Sequence, residues 1–182
     1  IIASGFSKTY AWTGGRIGYA VFPYSEEAGI FKNLNINYFS CVPPYNQEAA
    51  RVALENPLSK TSVRKMVQTF EQRRNEIWDL LNQVEGISCR KPGGAFYLFP
   101  NISGVCSNLE LIEFHSRLPE PEKKESSPAG LFQMFALYEH QVAVLDRKSF
   151  GSIGAEGKDY LRLSTASDIE ILREGVQRLK DA

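Results

Sequence analysis

The sequence predicts an α/β protein. Three observations carry this. Apolar residues recur at Val63, Met66, Val67, Phe70, Ile77, Leu80, Leu81 and Val84, spacings of three and four that mark a long amphipathic helix. Short strand-like runs at residues 16–22, 87–90, 95–99 and 160–166 alternate with helical stretches. At 182 residues and 43% hydrophobic, the chain is large enough for one substantial core, or for one domain and part of another.

The amino-terminal stretch Ser4-Gly5-Phe6-Ser7-Lys8-Thr9-Tyr10-Ala11-Trp12-Thr13-Gly14-Gly15-Arg16-Ile17-Gly18-Tyr19 does not have the pattern of a core element. A partly desolvated lysine is easily deprotonated and can attack a carbonyl to form a Schiff base. Lys8 has Phe6, Tyr10 and Trp12 as apolar walls and Ser7, Thr9 and Thr13 as neighbouring hydroxyls. An arginine behind two glycines suits an anion such as phosphate, because its fork binds oxygens bidentately and glycine allows close approach. Together they point to a phosphorylated carbonyl ligand. Spacing alone favours the plainer alternative, a solvated lysine in a glycine-rich loop with Arg16 as a surface charge.

The ordered string from Ser7 to Tyr19 resembles the lysine signature of the class I and II aminotransferases, the fold-type I enzymes that use pyridoxal 5'-phosphate. That resemblance implies that Lys8 carries the cofactor covalently and that Arg16 binds its phosphate. Two residues depart from the family pattern: Gly5 stands where a second hydroxyl residue is common, and Trp12 is bulkier than the usual aliphatic residue. The chain begins without methionine, and Ile1-Ile2-Ala3 has the look of a strand end running into the lysine loop. Both features predict a piece of a longer protein, the carboxyl-terminal half by resemblance. The same resemblance implies that residues 1–70 are a remnant of the large cofactor-binding α/β domain and residues 71–182 the small α+β carboxyl-terminal domain.

After the strand at 17–22, Ser25 is expected to cap a helix running through Leu34, with Glu26 and Glu27 favourable in its first turn. Pro43-Pro44 makes residues 37–45 irregular, and 46–54 form a short helix. By resemblance this segment lies near the dimer interface and the neighbouring active site, although ordinary loop packing is the favoured role for Tyr38, Tyr45 and Asn46. Asn56-Pro57 breaks the pattern, and Thr61 or Ser62 caps the long helix. The Arg73-Arg74 pair falls on its polar side and is expected to be solvated. Gly86 ends it through positive φ.

Strands at 87–90 and 95–99 flank the turn Lys91-Pro92-Gly93-Gly94. The run Pro92-Gly93-Gly94-Ala95-Phe96-Tyr97-Leu98-Phe99 partly echoes the RNA-binding strand of an RNA-recognition motif, but lacks its leading basic residue and one aromatic. It resembles the aminotransferase Pro-x-Gly-Ala-Phe-Tyr segment better. Residues 108–118 and 131–140 are helical by pattern, and the charged, Pro-rich stretch 119–128 is expected to be a mobile surface insertion. His115 and His140 lack companion ligands, so no metal is expected. Residues 142–145 form a strand, 150–157 a flexible loop, 160–166 a strand, and Ser167-Asp168-Ile169-Glu170 opens a final helix with capping-box spacing.

Arg162 interrupts an apolar strand, where a guanidinium needs an anion. Pattern alone leaves a structural salt bridge and a ligand carboxylate equally open. The run Leu161-Arg162-Leu163-Ser164 resembles the family segment whose arginine binds the substrate α-carboxylate.

Equal numbers of acidic and basic residues, 21 each, give no general pull toward nucleic acid or membrane. Cys41, Cys89 and Cys106, odd in number and widely spaced, argue against a disulfide framework and are expected to be buried or half-buried thiols in a reducing, cytoplasmic compartment. The resemblance implies an aspartate aminotransferase-like homodimer with amino acid and 2-oxo acid substrates, no nucleic acid, no membrane and no metal. A lyase or synthase of the same fold, or an aminotransferase-like sensor domain of a transcription regulator, stands as the alternative.

Overall fold

The computed structural model describes residues 1–151 and 157–182. The chain divides into two compact units, Ile1–Val67 and Gln68–Ala182.

In the first unit, β1 (Ile2–Gly5) pairs antiparallel with β2 (Gly18–Val21), register Ile2 to Val21 and Gly5 to Gly18. Between them lie one turn of helix, α1 (Phe6–Thr9), and a 3-10 turn, Thr13–Gly15. Phe6 is buried and gathers the aromatic residues around it: Tyr10 stacks at 5.1 Å, and Trp12 and Tyr19 meet it edge-on at 6.3 and 5.9 Å. Helix α2 (Ser25–Phe39) runs five residues past Leu34, and Ser25 is its first residue; the cap position is Tyr24, with no side-chain bond. Acidic Glu26 and Glu27 do occupy its first turn, where they complement the positive end of the helix dipole. Its apolar residues Ile30, Phe31 and Leu34 are exposed.

Helix α3 (Pro44–Glu55) begins at the second of the adjacent prolines, because a proline in the first turn has no amide to leave unpaired. The same rule corrects the expected break at Pro57: α4 (Pro57–Leu81) starts there, with the Leu58 amide donating to Asn56 Oδ1 at 2.9 Å.

The second unit holds the larger core. Ile77 and Leu81 of α4 pack with Leu98, Ile102, Cys106, Phe132, Leu161 and Leu179. Gly86 takes positive φ (78°), five residues beyond the helix end. Arg74 is not solvated as expected: it is buried, with Nη2 donating to Glu71 at 3.2 Å and to Asn75 at 3.0 Å. The strands are shorter than the sequence suggests. Residues 87–90 contribute one bridge, Ser88 to Asn101, and 95–99 reduce to β3 (Tyr97–Leu98).

Two short helices, α5 (Ser103–Asn108) and α6 (Leu111–Ser116), replace the single one expected over 108–118. The Pro-rich stretch is not irregular: it forms α7 (Glu120–Glu125), with acids in its first turn and Lys123 and Lys124 in its last, matching the dipole at both ends. Helix α8 (Pro128–Tyr138) is capped by Ser127 Oγ, which accepts from the Gly130 amide at 2.9 Å.

The expected strand at 142–145 is displaced to β4 (Leu145–Asp146). A 3-10 turn, Arg147–Phe150, follows; the loop expected at 150–157 lies largely outside the described residues. Strand β5 (Leu161–Ser164) is central, in the antiparallel order β3-β5-β4. Helix α9 (Ile169–Lys180) is capped by Asp168, whose carboxylate accepts from the Glu170 amide. Among the described residues, no helix is long and apolar enough to cross a membrane.

Candidate functional site

Lys8 and Arg16 belong to the first unit and Arg162 to the second. Lys8 is exposed on α1, one turn after the β1 strand and two residues from buried Phe6. The rings expected to wall it, those of Phe6, Tyr10 and Trp12, pack on one another around Phe6, and Lys8 is exposed rather than partly desolvated.

Arg16 closes the 3-10 turn in the left-handed conformation, φ 49° and ψ 45°. A residue with a Cβ pays about 1–2 kcal/mol for this geometry. Three contacts hold the turn. Arg16 Nη1 donates to the Thr13 carbonyl at 3.1 Å, and Asn46 Nδ2, from α3, donates to the Gly15 carbonyl at 2.8 Å. The Trp12 indole covers Gly15 so closely that a Cβ there would stand 2.3 Å from Trp12 Cε2. The bulk of Trp12 is therefore matched by the absence of a side chain at Gly15.

Beside the turn is a cleft of about 560 Å³ lined by Gly14, Arg16, Asn35, Ser40, Cys41 and Asn46. Ser40 is a second backbone outlier, at φ 61° and ψ −92°. Such outliers persist only where the surroundings impose them, and they concentrate at functional loops. Asn46 thus ties α3 to the turn through its side-chain amide, a contact its sequence neighbourhood did not announce. The exposed cleft also includes Cys41, the one cysteine that departs from the expected burial.

Arg162 is half-buried, and the register explains its surroundings. Leu98 pairs with Leu163, and Asp146 with Leu161, on the core side of the sheet; Tyr97, Leu145 and Ser164 share the opposite face with Arg162. Its guanidinium carbon stands 4.6 Å from the centroids of both Tyr97 and Phe150. Among the described residues Arg162 makes no ion pair, and aromatic rings occupy the place expected for a structural salt bridge.

Elsewhere in this unit, burial among apolar residues, with Asp159 and Asp146 nearby, pushes the Cys106 thiol up to about 12. Burial likewise raises Cys89 and Asp159 above their ordinary values. Cys89 and Cys106 belong to the core, and all three groups are remote in sequence from the lysine turn.

The residues of the turn fit a phosphate-bearing carbonyl compound. Arg16 offers a planar set of donors, Gly14 leaves its Cα face open with nothing within 4 Å of a would-be Cβ, and Lys8 is exposed on the same β1-α1 segment.

Comparison with known proteins gives the same direction. The family model described as aminotransferase class I and II matches residues 1–179. A probable aspartate/prephenate aminotransferase of Aquifex aeolicus is 37% identical over 177 residues, covering 97% of this chain and 39% of that protein. An aspartate aminotransferase of Sulfurisphaera tokodaii is 31% identical over 185 residues, covering 100% of this chain and 40% of that protein. The crystal structure of an aromatic aminotransferase from Pyrococcus horikoshii matches with a TM-score of 0.77 at 30% identity, over 98% of this chain and 41% of that one. The chain therefore spans about 40% of the length of the curated relatives it matches. Its α/β architecture is that of fold-type I.

Proposed function

The chain belongs to the class I and II aminotransferases, and on that premise we propose that it is the carboxyl-terminal portion of a transaminase dependent on pyridoxal 5'-phosphate. Residues 1–70 are a remnant of the large cofactor-binding domain, and 71–182 are the small domain. The whole protein moves an amino group between an amino acid and a 2-oxo acid. It belongs to the aspartate aminotransferase-like group and acts as a cytoplasmic homodimer.

The observation that carries this proposal is the Lys8–Arg16 segment. It presents an amine and a guanidinium from one short β-α-turn-β unit, with the turn fixed in a strained backbone state by Trp12, Gly15 and Asn46. When bound, the cofactor supplies an electron sink for the bond changes at the donor carbon. Lys8 would hold the cofactor through Nζ and, once the donor amine has displaced it there, would be free to serve as the general acid-base that moves the proton from the donor Cα in the 1,3-shift. Arg16 binds the phosphate, and Arg162 binds the substrate α-carboxylate.

Borohydride reduction of the full-length protein should leave the cofactor attached at Lys8 in peptide maps. Attachment at another lysine, such as Lys148 or Lys158, would sink the assignment. A screen of amino donors on the same preparation separates transamination from lyase or synthase chemistry.

A further inference from the structure

We propose that Tyr97 and Phe150 form an aromatic clamp that presents the in-plane N–H edge of Arg162 to a ligand carboxylate, which makes both of them positioning residues. The proposal rests on Arg162 as the carboxylate-binding residue. It goes beyond that assignment by naming what fixes the guanidinium.

The guanidinium carbon lies over both rings at the same distance, 4.6 Å. A guanidinium is attracted to a ring face by the quadrupole and loses little by contact there, because its π faces are weakly hydrated. Its donors all lie in the molecular plane. With two rings packed at the guanidinium carbon and no carboxylate paired with it among the described residues, the N–H donors are left as its polar side, and that fork matches two carboxylate oxygens.

The backbone that carries each ring is held. Tyr97 sits on β3, paired to Ser164 of the strand that carries Arg162, and on the same face of the sheet. Phe150 closes the 3-10 turn after β4, and that turn is tied on several sides. The Lys148 amide donates to Asp146 Oδ1 at 3.1 Å, and Lys148 Nζ donates to the Ser126 carbonyl at 2.7 Å. Arg147 Nη1 donates to the Gly151 carbonyl at 2.8 Å. A long side chain that would otherwise sample many rotamers is restricted before the ligand arrives, which lowers the entropy cost of binding.

The test uses the full-length protein with four variants: Tyr97→Leu, Phe150→Leu, Tyr97→Phe and Arg162→Lys. Propionate serves as an unreactive carboxylate probe, its affinity read by calorimetry, alongside KM and kcat for an amino-acid donor. The two leucine variants should each bind propionate about 5–10-fold more weakly, as expected for loss of one partly desolvated ring contact. They should raise KM more than they lower kcat, while Tyr97→Phe keeps wild-type affinity because its ring face remains. Thermal unfolding of each variant separates misfolding from a binding defect, and Tyr97→Phe serves as a folded control. If Arg162→Lys loses propionate but both leucine variants bind it normally, the clamp is overturned and the assignment of Arg162 stands. If Arg162→Lys also binds propionate normally, the carboxylate assignment fails, and the clamp with it.

Discussion

Replacing Gly15 with alanine adds one methyl group where there is no room for it. The new Cβ would stand 2.3, 2.6 and 2.7 Å from Trp12 Cε2, Cδ2 and Nε1. Ordinary carbon contacts need about 3.5–4.0 Å, so the indole would have to retreat by about 1 Å. Gly15 does not take positive φ, so its backbone accepts alanine and the clash is the whole cost. Trp12 in turn meets the edge of buried Phe6, so its retreat disturbs the aromatic cluster of the first unit. Overpacking of this kind costs about 1–3 kcal/mol. Because the turn carries Arg16, the same substitution should weaken cofactor binding. The assay is a double-mutant cycle in the full-length protein: Gly15→Ala, Trp12→Ala and both together, followed by urea unfolding and by cofactor affinity. In the Trp12→Ala background the added methyl has space, so its cost should fall to about 0.5 kcal/mol or less, a coupling of about 1–2 kcal/mol. An equal cost of Gly15→Ala in both backgrounds would refute the claim that Trp12 is why this position is glycine.

Cys106, buried and with its thiol raised to about 12, should resist alkylation at pH 8 in the native protein and react only on unfolding; mass spectrometry after a timed iodoacetamide pulse reads this directly. Asp159 has a folded pKa raised above the ordinary carboxylate value of 3.8, chiefly by burial, so the folded state binds its proton more tightly than the unfolded chain does. Stability contributed at this site therefore falls as pH rises from the unfolded to the folded pKa, and Asp159→Asn should stabilise the protein at pH 8 but not below pH 3.8, as thermal melts at both pH values would show. In the 182-residue chain alone, amides in 1–67 should exchange with deuterium faster than those in 68–182, because the buried hydrophobic residues of the first unit are Phe6 and Ala50; equal protection would contradict that burial.

Where the sequence was legible, the signal was local. The periodicity from Val63 to Leu81 marks α4, but Pro57, a breaker by pattern, occupies a first-turn position that needs no amide. Charge and proline content made 119–128 look irregular, although Glu120, Glu122, Lys123 and Lys124 are arranged as a helix dipole prefers. Arg74 followed the polar side by spacing and yet is buried, since its stem is covered and Glu71 and Asn75 meet its head. For the candidate site, Lys8 and Arg16 stood out because the lysine signature is contiguous. The supports of both arginines are not contiguous: Asn46 lies 30 residues beyond Arg16, and Phe150 reaches Arg162 across the β4-β5 register. No local pattern encodes such partners.

The two arginines are positioned by different physical means, and the difference bears on how each tolerates change. Arg16 is aimed by its backbone: a left-handed residue after a 3-10 turn, with a carbonyl held by Asn46 and a glycine pressed under Trp12. Its direction is set at Cα, so a lysine there would start toward the same place and keep the charge while losing the fork. Arg162 is aimed by its side chain: strand geometry fixes only the face, and the rings of Tyr97 and Phe150 then act on a flat guanidinium. A compact ammonium at that position would gain less from two ring faces and present no planar edge. Exchange of arginine for lysine is therefore the milder change at Arg16 and the more damaging one at Arg162, even though the charge is conserved at both.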